Sequence, residues 1–300
     1  VSGKFQYEAL GPSDYPTVGD EVLADLNGGG QAVIHKVLPR KSLFLRKAAG
    51  TAREEQPVAA NVDILFLCMA LNNDFNLRRL ERYLAAAWNS GATPVVVLTK
   101  ADLCGNPSEK VAAVEEAAPG TDVLLTSAAQ EDGIRPLLPY LTPGRTVAFV
   151  GSSGVGKSTL MNGLLGKEIL ATGGLRNDDR GRHTTTRRQM FFLPGGAALI
   201  DTPGMRELGL WDSESGLETA FADIEALARQ CRFQDCRHEK EPGCAVRAAL
   251  ASGELSEERF RSWQRLSAEN RYADDRAAHM SAKEKKFRMI AQFNKSNAKR

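Results

Sequence analysis

The chain has no long apolar run. Its longest such stretch, Ile64 to Leu71, is far short of the roughly 20 residues that a membrane-crossing helix needs. No basic-then-apolar leader opens the given residues, so the expectation is a cytoplasmic protein without a membrane partner. Cysteine is scarce, at five in 300 residues, and unevenly placed, which argues against a disulfide scaffold. Neither sign of charge dominates: 39 Lys and Arg face 37 Asp and Glu, and a net charge of +2 assigns no partner. Low-complexity tracts and internal repeats are also missing. What remains, 42% hydrophobic and 25% charged residues, is ordinary globular composition, with length for two or three domains.

What is present is strongly patterned. From Phe5 to Arg53 short apolar runs alternate with turns such as Asn27-Gly28-Gly29-Gly30, and Gln31 to Val37 and Ser42 to Leu45 read as strands. This predicts a small β-barrel over residues 1–55. The stretch from Ala32 to Arg53 holds Lys36, Arg40, Lys41, Arg46, Lys47 and Arg53 and no acidic residue, a local basic patch. Past a polar segment ending at Pro57 the texture changes, and a boundary is expected near Gln56. Apolar strands (Asp63 to Met69, Pro94 to Leu98, Val123 to Leu125, Val147 to Val150, Met190 to Leu193, Ala197 to Ile200) alternate with helical patterns such as Leu77 to Trp88. That alternation predicts an α/β domain with a mainly parallel sheet over 56–212. Residues 213–300 read as helices around a cysteine-rich loop.

The segment Gly151-Ser152-Ser153-Gly154-Val155-Gly156-Lys157-Ser158-Thr159 fits a phosphate-binding loop, and a strand precedes it. Its backbone N–H groups can face phosphates, with Lys157 reaching the β and γ groups. Ser158 can hold Mg²⁺ together with Asp201 of Asp201-Thr202-Pro203-Gly204, and Gly204 belongs to the same nucleotide loop. Between them, Gly181-Arg182-His183-Thr184-Thr185-Thr186 has the character of a switch loop, with Thr185 and Thr186 as the magnesium candidates.

Base choice is written upstream. In Thr99-Lys100-Ala101-Asp102 the Asp102 carboxylate can accept from the ring N–H and the amine of guanine, a donor pair that adenine lacks. The stem of Lys100 can lie along the base, and Ser127-Ala128 at the next strand end can direct a backbone N–H to the guanine oxygen. These motifs indicate a GTPase, and Asp102 argues against an ATP-dependent kinase. The base loop precedes the phosphate loop, the inverse of the usual order. Sites in parallel sheets form at the carboxyl ends of strands, so the pocket tolerates a permuted chain. Farther on, Cys231, Cys236, His238 and Cys244 offer three thiolates and one imidazole within fourteen residues, a set suited to one structural Zn²⁺.

In this order, together with Pro39-Arg40-Lys41-Ser42 and Asn61-Val62-Asp63, the motifs resemble the RsgA (YjeQ) family of ribosome small subunit-dependent GTPases over nearly the whole chain. The resemblance implies an N-terminal OB barrel, a circularly permuted P-loop GTPase core and a C-terminal helical zinc domain. It also implies action late in small-subunit maturation, with the small ribosomal subunit and its rRNA as partners. The basic run and the Lys- and Arg-rich tail from Lys283 to Arg300 suit an RNA backbone. Met205 stands where many GTPases place a glutamine that orients the attacking water, so unaided hydrolysis is expected to be slow. His183 is the candidate catalytic group once a partner orders its loop, and the protein is expected to be a monomer. The alternative is a nucleotide-gated rRNA-binding chaperone in which hydrolysis is incidental.

Overall fold

The computed structural model describes residues 1–9, 11–27, 31–47, 55–130, 132–170, 188–201 and 214–271. Two compact units are found, Val1–Gly209 and Leu210–Arg300.

The first unit begins with a short helix α1 (Gly3–Glu8), followed by strands β1 (Val22–Asn27), β2 (Gln31–Val37), β3 (Leu43–Lys47) and β4 (Glu55–Ala60). They form two antiparallel ladders, β1 with β2 and β3 with β4; among the described residues no closed barrel sheet joins them. β4 spans the position where the sequence suggests the first boundary. Pro57 lacks an N–H and is normally barred from a ladder. Here Leu45 pairs with Pro57 and Phe44 with Ala59, so the register slips by one residue beside Pro57 and the ladder tolerates it. Arg40, counted above among patch residues, is not free to bind RNA. Its guanidinium makes two 2.7 Å bonds to the Asp20 carboxylate and donates to the carbonyls of Ser13 and Tyr15. Lys41 pairs with Asp63 at 2.5 Å.

The core follows: β5 (Ile64–Ala70), α2 (Leu77–Ser90), β6 (Thr93–Thr99), α3 (Pro107–Ala117), β7 (Asp122–Leu125), β8 (Thr146–Val150), α4 (Lys157–Leu165), β9 (Gln189–Phe192) and β10 (Ala198–Asp201). Across the sheet the order is β7-β6-β5-β8-β10-β9. Every pair is parallel except β9 with β10. β5 and β8 are buried along their whole length, as expected of central strands covered on both faces. Ile64, Phe66, Cys68 and Ala70 pack with Phe149, Leu160 and Met161, while α2 packs against β5 and β6. The chain thus enters its sheet at the centre, builds outward through β6 to β7, and returns to lay β8 against the other side of β5. That path brings the ends of β5, β6 and β8 together although their loops are far apart in sequence.

The second unit holds α5 (Glu214–Ala220), α6 (Ala222–Ala228) and α7 (Ala245–Ser252), then a helix α8 over 257–271. Arg259 of α8, only 5% exposed, locks it to the earlier helices with a bidentate pair to Asp223 (2.7 Å twice) and a bond to the Ala220 carbonyl. Its guanidinium also lies 4.7 Å from the Phe221 ring centre. Among the described residues no helix is long and apolar enough to cross a membrane.

Candidate active site and metal centre

β8 runs directly into the phosphate loop, and α4 starts at Lys157 with Gly156 before it. Gly151 is required by close approach: a Cβ there would sit 2.3 Å from the Cys68 carbonyl oxygen of β5. Cys68 is therefore part of the floor of the loop. Its thiol is buried, and burial pushes its pKa up to about 12. Lys157 Nζ donates to the carbonyls of Gly151 (2.7 Å) and Ser152 (2.6 Å), so its ammonium is held across the loop mouth. Ser158 and Thr159 lie in the first turn of α4. Asp201 ends β10, in register with Phe149 of β8. Burial pushes its carboxyl up, and the Lys157 ammonium partly offsets the shift. A half-buried carboxylate at the end of β10, on the strand next to β8, is a donor type that suits a hard cation.

The guanine loop lies next to this loop. Thr99 ends β6 and its Oγ1 donates to the Val155 carbonyl at 2.5 Å, a direct tie between the base-reading and phosphate-binding segments. Lys100 takes the left-handed conformation (φ +58°) and starts the tight turn that carries Asp102. Ser127, after β7, donates its hydroxyl to Asp102 Oδ1 at 2.5 Å, which orients the carboxylate. The Ser127 N–H is occupied by the Gly133 carbonyl (3.1 Å). Gly133 is forced there, since a Cβ would meet the Ser127 oxygen at 1.6 Å. Ala128, next in this loop, is exposed. The structure thus puts Thr99, Lys100, Asp102, Ser127, Ala128, the Gly151 to Thr159 segment and Asp201 at the carboxyl ends of β6, β7, β8 and β10. His183, Thr185, Thr186 and Gly204 lie outside the described residues.

Sequence reasoning missed the segment between β5 and α2. Asn72 Oδ1 accepts from the Asp74 N–H (3.0 Å) and Asn76 caps α2 through the Arg79 N–H (3.0 Å). Leu71 N–H reaches the Thr99 carbonyl (3.0 Å), and Lys110 donates to the Leu71 carbonyl (3.0 Å). The alternation Asn72, Asp74, Asn76 between a strand and a helix is the available signal, since such side chains cap backbone N–H groups.

In the second unit, Cys231, Cys236, His238 and Cys244 place their ligand atoms within 4.8 Å of one another. His238 Nδ1 lies 3.4 Å from the Cys244 sulfur and 3.6 Å from that of Cys231. His238 is a non-glycine residue at φ +61°, a conformation that needs enforcement. Glu241 supplies part of it: its carboxylate accepts from its own N–H and those of Arg237, Lys240 and Glu239, which draw its pKa down to about 2. The Trp263 ring flanks His238 at 5.7 Å and its indole N–H donates to Glu225 (3.0 Å). Three sulfurs and a ring nitrogen so spaced fit one tetrahedral zinc ion with no open position, a structural centre.

A glycine-rich loop between β8 and α4, with the turn at Lys100 to Asp102 beside it, on a parallel sheet entered at its middle, is the architecture of a circularly permuted GTPase. A model of the RsgA GTPase family matches residues 37–211, and the chain belongs to that family. A second model, for ABC transporters, matches 136–299; it takes in the phosphate loop but not the guanine loop at Thr99 to Asp102. The small ribosomal subunit biogenesis GTPase RsgA 2 of Lactiplantibacillus plantarum is 52% identical over 91% of this chain and 77% of its own length. The Opitutus terrae small ribosomal subunit biogenesis GTPase RsgA is 48% identical over 96% of this chain and 81% of its own. Among solved structures, YjeQ from Thermotoga maritima aligns over 88% of this chain and 86% of its own, with a TM-score of 0.64 and 31% identity. YloQ, described as a circularly permuted GTPase, aligns over 91% and 85%, with a TM-score of 0.61 and 25% identity.

Proposed function

We propose that this GTPase is stimulated by the small ribosomal subunit and acts in the cytoplasm, as a monomer, late in that subunit's maturation. The relatives named for small-subunit biogenesis support this, and so does the placement of Asp102, Lys157 and Asp201 at the carboxyl ends of strands of one sheet. GTP is held by the Gly151 to Thr159 backbone, Lys157 neutralises the transferred phosphate, and Asp102, oriented by Ser127, reads guanine with Lys100 and the Ala128 N–H. Mg²⁺, held by Ser158, Asp201 and a switch threonine, Thr185 or Thr186, would neutralise charge developing between the phosphates.

His183 supplies the polar group that Met205 cannot, and it acts when the subunit orders its loop. The N-terminal ladders belong to an OB module that runs past the expected boundary at 55 to the end of β4 at Ala60 and binds rRNA through basic residues other than Arg40, and 213–300 forms the zinc domain. The test is co-sedimentation with small subunits in GDP or a non-hydrolysable GTP analogue, alongside H183A turnover. Analogue-dependent binding and loss of only the stimulated turnover in H183A are expected; equal binding in both states, or wild-type stimulation of H183A, would overturn the reading.

A further inference from the structure

Arg79, in the first turn of α2, is aimed away from its own helix. Its Nη1 donates to the Ser152 hydroxyl, in the second position of the phosphate loop. Its Nη2 donates to the Asp74 carbonyl (2.5 Å) and to Asp74 Oδ1 (2.9 Å). Asp74 is itself fixed by Asn72, and its second oxygen is buried. A cavity of about 10 Å³, lined by Asp74, Arg79, Tyr83, Cys68 and Met69, adjoins the pair and has room for no more than a water. Ser152 is therefore gripped at two points, its hydroxyl by Arg79 and its carbonyl by Lys157 (2.6 Å).

We propose that Arg79 is a positioning residue for the nucleotide: through Ser152 it sets the loop segment whose carbonyls aim Lys157 at the phosphates. Asp74 orients Arg79, and the Asn72 to Asn76 turn, tied to Thr99 through Leu71, makes the brace continuous with the guanine loop. A guanidinium fork suits this task because it holds two acceptors in a fixed plane. Arg79 touches no reacting atom. Its effect is on affinity for the phosphates, with the preference for guanine over adenine left to Asp102.

The inference rests on the phosphate-loop reading, and fluorescent GDP and GTP-analogue titrations of the full chain separate the two. Wild type should bind and K157A should not; if K157A binds as wild type does, both readings fall. R79A and S152A should each weaken GDP binding ~10-fold, the scale of a lost charge-assisted hydrogen bond, with the guanine-to-adenine ratio unchanged. The double variant should be no weaker than R79A alone, because both remove the same contact. A residue that merely stabilises α2 would give effects that multiply. Binding by R79A within twofold of wild type, or multiplying effects, overturns the proposal. Should R79A not fold, D74N carries the test: it should weaken binding less than S152A does and likewise fail to multiply with it, whereas independent effects overturn the proposal.

Discussion

Thr99 shows how one side chain can be half legible. In the sequence only its place beside Lys100 and Asp102 is visible, where asparagine is commoner in guanine loops. Its partner, the Val155 carbonyl, lies 56 residues onward and becomes apparent only in the fold. Substituting Ala for Thr99 leaves that buried carbonyl unpaired and should weaken GTP and GDP binding by about 1–3 kcal/mol, checked by calorimetric titration. Asp102 is proposed to read guanine because two adjacent acceptors can answer its donor pair. The variant D102N should lose ~10–100-fold in GTP affinity and gain for xanthosine triphosphate, whose carbonyl replaces the guanine amine; competition binding measures both. Cys68 is a third case: buried, with its thiol pushed up to about 12, it should resist alkylation in the folded protein while the more exposed Cys104 reacts. Peptide mass mapping after iodoacetamide would read this, and equal labelling of the two would contradict it.

At the scale of elements, β5, β6 and β8 announce themselves as apolar runs, and Leu77 to Trp88 as an amphipathic helix. β4 does not, because Pro57 argues against a strand until the register slip beside it is seen. The basic run holds one residue whose role its charge does not reveal: charge counts along a chain do not show that Arg40 is spent on Asp20. The metal loop was legible in its ligands but not in its support, since Glu241, Trp263 and the turn at His238 reveal their roles only by contact. Removing the metal with a chelator should therefore unfold the second unit, as a closed site contributes folding energy outright. Loss of helical circular dichroism with GDP binding retained is the expected result. In the same unit R259A strips the partner from Asp223, which is itself 37% exposed. A cost of about 2 kcal/mol in a denaturant titration is expected, below the 3–5 of a fully buried pair.

Over the whole molecule, the inverted motif order was the decisive clue, and the sheet explains it: β5 opens the core at the centre, so the guanine loop precedes the phosphate loop in the chain yet adjoins it in space. What one-dimensional reading could not supply is the bracing between modules within the first unit. Asp63 takes Lys41 on one oxygen and the Thr146 N–H on the other (2.8 Å), joining the N-terminal ladders to the strand that leads into the phosphate loop. Arg188, just before β9, donates to the Pro57 carbonyl of β4 (2.5 Å). These bonds link the N-terminal ladders to β8, which leads into the phosphate loop, and to Arg188, which precedes β9. The most direct test is GTP hydrolysis by the purified protein alone, with small subunits and with large subunits. The account predicts slow intrinsic turnover raised at least tenfold by small subunits only, the scale of a group worth ~1.4 kcal/mol or more in the transition state. Equal rates in all three conditions would contradict it and point instead to nucleotide-gated RNA binding in which hydrolysis is incidental.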